Sequence, residues 1–194
     1  MEIGATKAVQ DRLKTTKIEE SKGASLVFCW DTHLTKIKGR NVLFIVNASN
    51  RYTIAMTDIE PRNWNYYTMY IRSVIHGVMQ EMGYSEDQIG QYFKISGDTT
   101  VTKTHGRKSV GGINRVVMDA QYFGKKLEKE AKYQWELSEY LNRDICQPEG
   151  FDAYGYPSEL FKLDMERLGI AAKRKPAKVI DFAQYIENNR GTNH

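Results

Sequence analysis

The chain has 194 residues, of which 41% are hydrophobic and 27% charged, and its formal net charge is +4. These totals are typical of a globular domain, and the two cysteines are too few for a disulfide framework or a closed zinc site. The sequence has no apolar run as long as a membrane span and no secretory signal pattern at its start, so we expect a cytoplasmic protein with no membrane partner.

The first half of the chain predicts a short helix followed by a sheet. Ala5, Val9 and Leu13 recur at helical spacing. Four segments rich in β-branched and aromatic residues then predict strands: "SLVFCW", "HLTKI", "NVLFIVN" and "YTIAMTDI". The "KGRN" segment at residues 38–41 predicts a hairpin turn, because Gly39 tolerates a positive φ. We therefore expect an antiparallel sheet of about four strands.

Helical patterns dominate the middle of the chain. A stripe of apolar residues between Pro61 and Gly83 predicts a long amphipathic helix. Ser85 and Gln88 have the spacing of a capping box, which predicts the start of a second helix. After the polar and basic stretch "GDTTVTKTHGRKS", the segment from Val110 to Arg143 is mostly helical in pattern.

The composition changes near Asp144, where prolines and glycines become frequent. We predict an α+β domain at residues 1–143, with the sheet covered by helices, and a connector at residues 144–157. A small, basic C-terminal helical appendage is predicted at residues 158–194. Its first helix would turn Leu160, Leu163 and Leu168 inward, and "AKRKPAK" would form a basic linker.

The first candidate site combines "WDTHL" at residues 30–34 with "NASNR" at residues 47–51. A turn centred near residue 39.5 would place Asp31 opposite about residue 48 and His33 opposite about residue 46. Asp31 and His33 would then lie near Asn50 and Arg51. A carboxylate, an imidazole and a guanidinium in one place can perform acid–base chemistry on a phosphodiester. The alternative is a hydrogen-bonded strand end with no catalytic role.

The second candidate site is cationic and could contact a nucleic-acid backbone. Its residues are Lys103, His105, Arg107 and Lys108, with Lys173, Arg174 and Lys175 of the basic linker as a further set. The alternatives are an exposed basic hairpin and a solvated linker. A metal site from Asp31, His33 and His105 is conceivable, but no spacing supports it strongly, so we predict no metal and no cofactor.

The order of motifs resembles a family of small bacterial domains of unknown function that are often found on mobile elements. The resemblance rests on "IGATKAVQDRL", "FCWDTHL", "VLFIVNASNRY" and "TVTKTHGRKSVGGINRV", and it covers roughly residues 1–123. The family pattern has His-Ala-Asn after the tryptophan, whereas this chain has Asp31, Thr32 and His33. That departure leaves any family role of the tripeptide open in this chain.

The sequence also resembles plasmid-borne anti-CRISPR proteins directed at type II-A systems, some of which act on the guide RNA. This resemblance implies an inhibitor whose partners are a type II-A CRISPR effector nuclease and its guide RNA. The protein would be a metal-independent ribonuclease or an inducer of RNA cleavage if Asp31 or His33 served as general base. The alternatives are a non-catalytic RNA- or protein-binding module and a stand-alone RNA-processing enzyme.

Overall fold

The computed structural model describes residues 1–15 and 18–172. The strands are β1 (Glu2–Ala5), β2 (Cys29–Ile37), β3 (Arg40–Asn47), β4 (Thr53–Thr57) and β5 (Thr100–Thr102). The helices are α1 (Lys7–Leu13), α2 (Pro61–Asn65), α3 (Tyr67–Glu81), α4 (Glu86–Ser96), α5 (Gly106–Tyr122), α6 (Trp135–Asn142) and α7 (Pro157–Arg167). A single 3-10 turn, Leu26–Phe28, precedes β2. None of the helices in these ranges is both long and apolar enough to cross a membrane.

The five strands form one mixed sheet in the order β4-β3-β2-β1-β5. Strands β2, β3 and β4 are antiparallel, whereas β1 pairs in parallel with both β2 and β5. The fold class α+β is confirmed, but the prediction of a purely antiparallel sheet of about four strands is wrong. Two predicted strands, "SLVFCW" and "HLTKI", are largely one strand, since only Cys29 and Trp30 of the first join β2. Strands β1 and β5 complete the five.

Helices cover both faces of the sheet, so the domain has three layers. One face packs against α3, α4 and α7 through Leu43, Ile45, Ile71 and Phe161. The other packs against α5 and α6 through a second core that includes Phe44. Because neighbouring strand residues point to opposite faces, alternating positions of β2 and β3 supply the two cores.

The predicted "KGRN" turn is confirmed, with Lys38 and Gly39 both at positive φ (50° and 83°). Those two residues alone form the turn, and Ile37 pairs with Arg40. The hairpin is therefore centred one residue earlier than the sequence suggested. Asp31 lies opposite Val46 rather than residue 48, and His33 lies opposite Phe44 rather than residue 46. The cause is that lysine occupies the left-handed region, which favours glycine or asparagine.

The helices follow the predicted pattern with local differences. The Ser85–Gln88 capping box at the start of α4 is present in full. The helix expected from Pro61 is divided at Tyr66 into α2 and α3.

Helix α7 belongs to the same packed structure as the sheet. Phe161 and Met165 are buried in the larger core, and Leu160 is buried near Cys146. Leu163 was expected to face inward, but it is 37% exposed. The predicted domain boundaries stay a prediction.

Candidate functional site

Asp31 lies at the centre of a buried polar network beneath α5. Its Oδ1 lies 2.7 Å from Nδ1 of His105, and the backbone N–H of His105 also donates to the carboxylate at 3.2 and 3.3 Å. The hydroxyl of Ser109, one turn into α5, donates to Oδ2. Asp31 is 0% exposed, so its carboxylate is satisfied by protein groups rather than by water.

The network continues from His105 to Glu2, at the start of β1. Nε2 of His105 lies 3.0 Å from Oε2 of Glu2. Glu2 also accepts hydrogen bonds from the hydroxyl of Ser21 at 2.6 Å and from the backbone N–H of Lys22 at 2.8 Å. Cys29 is adjacent, since it pairs with Glu2 across β1 and β2. We call the buried set Glu2, Cys29, Asp31, His105 and Ser109 the interior cluster.

The protonation of the interior cluster follows from its contacts. Burial alone would lower the pKa of His105, but the hydrogen bond to Asp31 and the nearby Cys29 outweigh it and raise the pKa to about 10. Burial alone would raise the pKa of Glu2, but hydrogen bonds from Ser21, Lys22 and His105 lower it below the usual value. At neutral pH an imidazolium therefore bridges two carboxylates, and His105 is not free to accept a proton.

Gly4 makes room for this arrangement. It lies between Glu2 and the end of β1, beside Asp31 on the face that α5 covers. A Cβ atom at Gly4 would lie 1.7 Å from Oδ1 of Asp31 and 3.1 Å from Nδ1 of His105. The carboxylate thus occupies the space that any other residue at position 4 would fill.

The "NASNR" segment is a turn held by its own amides. The Asn47 side chain accepts from the backbone N–H of Ser49 and Asn50 and donates to the carbonyl of Val27. Asn50 is 0% exposed, and its amide donates to Asp164 at 2.9 Å while its oxygen accepts from the backbone N–H of Tyr52. Both asparagines are therefore engaged in fixing the chain, as Asn side chains commonly do in turns.

Arg51 brings a cationic side chain to a cavity that Asn47 and Ala48 of the same turn also line. Its backbone is left-handed (φ 63°), and its guanidinium lies 3.4 Å from Asp144 and 3.9 Å from Asp119. The cavity of about 150 Å³ beside it is bounded by the 46–51 segment, the first turns of α5 and residues 147–149. Lys108 and Glu149 also line this cavity, which we call the Arg51 cavity.

The structure does not bring the four predicted catalytic residues together. Asp31 belongs to the interior cluster, and Asn50 is buried against Asp164. His33 is half-buried and its Nδ1 lies 3.1 Å from the hydroxyl of Thr6, and burial lowers its pKa. Arg51 alone lines the cavity. Whether any of them acts in catalysis stays a prediction.

The predicted nucleic-acid-binding residues also lie in different environments, since some are buried and others are exposed. His105 is 7% exposed and points into the interior cluster. Lys103 is exposed and pairs with Glu20. Arg107 and Lys108 are exposed at the start of α5, and within residues 1–15 and 18–172 neither forms an ion pair. The linker residues Lys173, Arg174 and Lys175 lie outside the described residues.

Sequence reasoning missed Glu2, Cys29 and Ser109. These residues could have been found from the alternation of side chains along a strand. Glu2 and Gly4 share one face of an extended segment, and Cys29 and Asp31 share one face of the next. A glutamate in an otherwise apolar strand next to a small residue is a sign of a buried polar contact. Interpreting residues 5–13 as the first element left this strand unrecognised.

A carboxylate oxygen, a thiol sulfur and an imidazole nitrogen from Glu2, Cys29 and His105 lie within 4.8 Å of one another. This donor set suits a transition metal. The cluster also resembles a catalytic triad, with Cys29 in the place of the nucleophile, His105 in that of the base and Asp31 in that of the acid that orients the base. Because Cys29 is 0% exposed, a substrate has no access to its sulfur in this structure.

The fold and the interior cluster define a three-layer α+β domain with charged side chains in its interior. Residues 2–160 match the family described as Domain of unknown function (DUF6933), and the chain belongs to that family. No curated protein and no solved structure matches the chain.

Proposed function

We propose that the protein is a non-catalytic RNA-binding protein that contacts phosphates beside the Arg51 cavity. The observation that carries this proposal is the pair of exposed cations, Arg107 and Lys108, at the start of α5, where Lys108 shares the cavity wall with Arg51. Neither cation has a carboxylate partner among the described residues, so both are available to an anion.

Binding is favoured over cleavage because of how the acid–base residues are used. Asp31 is fully buried and accepts hydrogen bonds from His105 and Ser109. The imidazole of His105 is held between two carboxylates. General acid–base catalysis requires a group within hydrogen-bond reach of the reacting proton, and neither residue reaches the Arg51 cavity wall.

Arg51 adds positive charge to the cavity wall, but its guanidinium is already paired with carboxylates. Its side chain is only 14% exposed, and its guanidinium lies near the carboxylates of Asp119 and Asp144. Glu149 also lies on the cavity wall. An anion entering this cavity must compete with these carboxylates, so affinity should come mainly from Arg107 and Lys108 and should fall steeply with salt.

For the partner we propose the guide RNA of a type II-A CRISPR effector, encountered in the cytoplasm, with the protein acting as an inhibitor encoded on a mobile element such as a plasmid. The support for this part is the sequence resemblance to anti-CRISPR proteins. The cationic start of α5 is compatible with it, because RNA backbones are recognised through phosphates and 2′-hydroxyls.

The test incubates labelled guide RNA with the protein, with and without the effector, and follows RNA length, gel mobility and target cleavage. We expect full-length RNA, a salt-sensitive mobility shift and reduced target cleavage. Replacing Arg107 and Lys108 together by Glu should weaken binding at least tenfold. Lys94→Glu is the control, because Lys94 is an exposed helical cation on α4, on the other side of the sheet.

Each other outcome contradicts a stated part of the proposal. Shortened RNA would show that the protein is a ribonuclease or induces cleavage. If the RNA shows a mobility shift but the effector still cleaves its target normally, the protein binds RNA and the effector is not its partner. Intact RNA with no shift, or equal losses in the Arg107/Lys108 and Lys94 variants, would overturn RNA binding at α5.

A further inference from the structure

Three different metal-binding groups meet on the face of the sheet that α5 covers. Glu2 and Cys29 are direct partners across the parallel pair β1–β2, and His105 comes from the residue before α5. Their side chains are nearly or fully buried, with residue exposures of 4%, 0% and 7%. The three donor atoms lie within 4.8 Å of one another.

We propose that Glu2, Cys29 and His105 bind a divalent transition-metal ion, with Zn²⁺ the best fit to one oxygen, one sulfur and one nitrogen ligand. Zinc–ligand distances of about 2.0–2.3 Å in a tetrahedral site place neighbouring ligand atoms roughly 3.3–3.8 Å apart. The Nε2–Oε2 distance of 3.0 Å is close to that spacing. To hold the ion, the three donor atoms, which lie within 4.8 Å of one another, would have to approach that spacing.

The surroundings of His105 are those of a metal-ligating histidine. Such residues commonly donate the second ring N–H to a carboxylate, which fixes the tautomer and raises the basicity of the ligating nitrogen. Nδ1 of His105 lies 2.7 Å from Asp31, which leaves Nε2 directed at Glu2. The carboxylate of Asp31 is itself fixed by Ser109 and by the backbone N–H of His105.

The sulfur of Cys29 interacts with His105, whose pKa it helps to raise, and it makes two long contacts with backbone carbonyls. Its contacts with the carbonyls of Ala24 and Ser25 are 3.7 and 3.5 Å long. A thiol is a weak donor, so exchanging these contacts for a metal–thiolate bond loses little.

Metal binding must release the protons that the ligand atoms carry, because the ion coordinates a thiolate sulfur and a neutral imidazole nitrogen. Release of one proton from Nε2 of His105 and one from the sulfur of Cys29 to solvent offsets the two positive charges of the M²⁺ ion that enters. The exchange of protons for metal is therefore balanced in charge.

The experiment uses the full chain, freed of metal and titrated with Co²⁺, followed by absorption spectroscopy. A Cys29 thiolate bound to Co²⁺ should give a sulfur-to-cobalt charge-transfer band at one ion per chain, and equimolar Zn²⁺ should abolish it. Zn²⁺ should also raise the thermal unfolding midpoint. Cys29→Ser should lose both the band and the shift.

Cys146→Ser is the matched control, because Cys146 is the other cysteine, is also buried and lies in a separate apolar cluster with Phe151 and Leu160. It should keep the band and the shift. Asp31→Asn, which retains an oxygen for Nδ1–H, should weaken Co²⁺ binding by about 10–100-fold. Far-ultraviolet circular dichroism verifies that each variant is folded.

The proposal is overturned if folded wild-type protein shows neither the band nor a Zn²⁺-dependent shift. It is also overturned if Cys29→Ser retains both, or if Cys146→Ser loses the band. If a substitution at Cys29 or Asp31 prevents folding, the wild-type titration and the Cys146 control still decide the outcome.

Discussion

Replacing Gly4 by Ala should be one of the most destabilising single-methyl additions in the protein. The new Cβ would lie 1.7 Å from Oδ1 and 2.9 Å from Cγ of Asp31, so the carboxylate must move. Moving it breaks its hydrogen bonds with His105 and Ser109. Disrupting a buried, hydrogen-bonded charge pair costs about 3–5 kcal/mol. For a chain of this size that corresponds to a lower unfolding midpoint by roughly 6–20 °C.

The measurement is urea and thermal unfolding followed by circular dichroism. Gly77→Ala is the matched control, because Gly77 lies in α3 with no heavy atom within 4 Å of the added Cβ. That variant should be more stable by about 0.5–1 kcal/mol, since alanine favours helix. The two glycine substitutions should therefore change stability in opposite directions.

A double-mutant cycle tests the assigned cause. In an Asp31→Ala background the atoms that clash with Cβ are gone, and the closest remaining contact is Nδ1 of His105 at 3.1 Å. Gly4→Ala should then cost much less than it does alone. If Gly4→Ala costs less than about 1 kcal/mol in the wild type, or the same amount in both backgrounds, the steric reasoning is refuted.

Two further predictions concern the predicted catalytic residues. Burial lowers the folded-state pKa of His33 below 6.5, so the unfolded state binds a proton more readily and stability falls as pH drops through 6.5. As pH falls from about 7.5 to about 5, the range in which histidine titrates, the free energy of unfolding of His33→Gln should decrease less than that of the wild type. Parallel curves of unfolding free energy against pH would contradict this. Asn50→Ala leaves the backbone N–H of Tyr52 without its side-chain acceptor and removes one hydrogen bond from Asp164, which keeps its contact with Arg167, so it should lower the free energy of unfolding by about 1–3 kcal/mol. Exposed Asn114→Ala should change it by less than about 0.5 kcal/mol, and equal effects would show that the turn does not depend on Asn50.

Local patterns predicted the local structure well. The apolar strands β3 and β4, the Gly39 turn and the Ser85–Gln88 cap are encoded by neighbouring residues, and they form as expected. The parallel strands were not predictable in this way. Strand β1 has four residues and β5 has three, and each is stabilised by a partner distant in the sequence. No window of sequence around them contains that partner.

The candidate site shows the same limit at the level of single residues. "TKTHGRK" looks uniformly cationic, yet His105 turns inward while Arg107 and Lys108 stay exposed. The difference arises because Asp31, from a distant strand, offers His105 a carboxylate. The one-residue shift of the Lys38–Gly39 turn moved Asp31 and His33 by two positions relative to β3. The neighbours of these residues therefore depend on strand register and on distant segments, which the local motif does not contain.

The position of β1 between β2 and β5 also sets an order of events during synthesis. Glu2 and Asp31 emerge from the ribosome early, whereas β5 and His105 follow much later. Until then β1 has an unpaired edge, and two carboxylates share one face of the nascent sheet without the imidazolium that separates them. Pairing of such distant segments is slow, so closure of the sheet and insertion of His105 between the two carboxylates should be a single late step of folding.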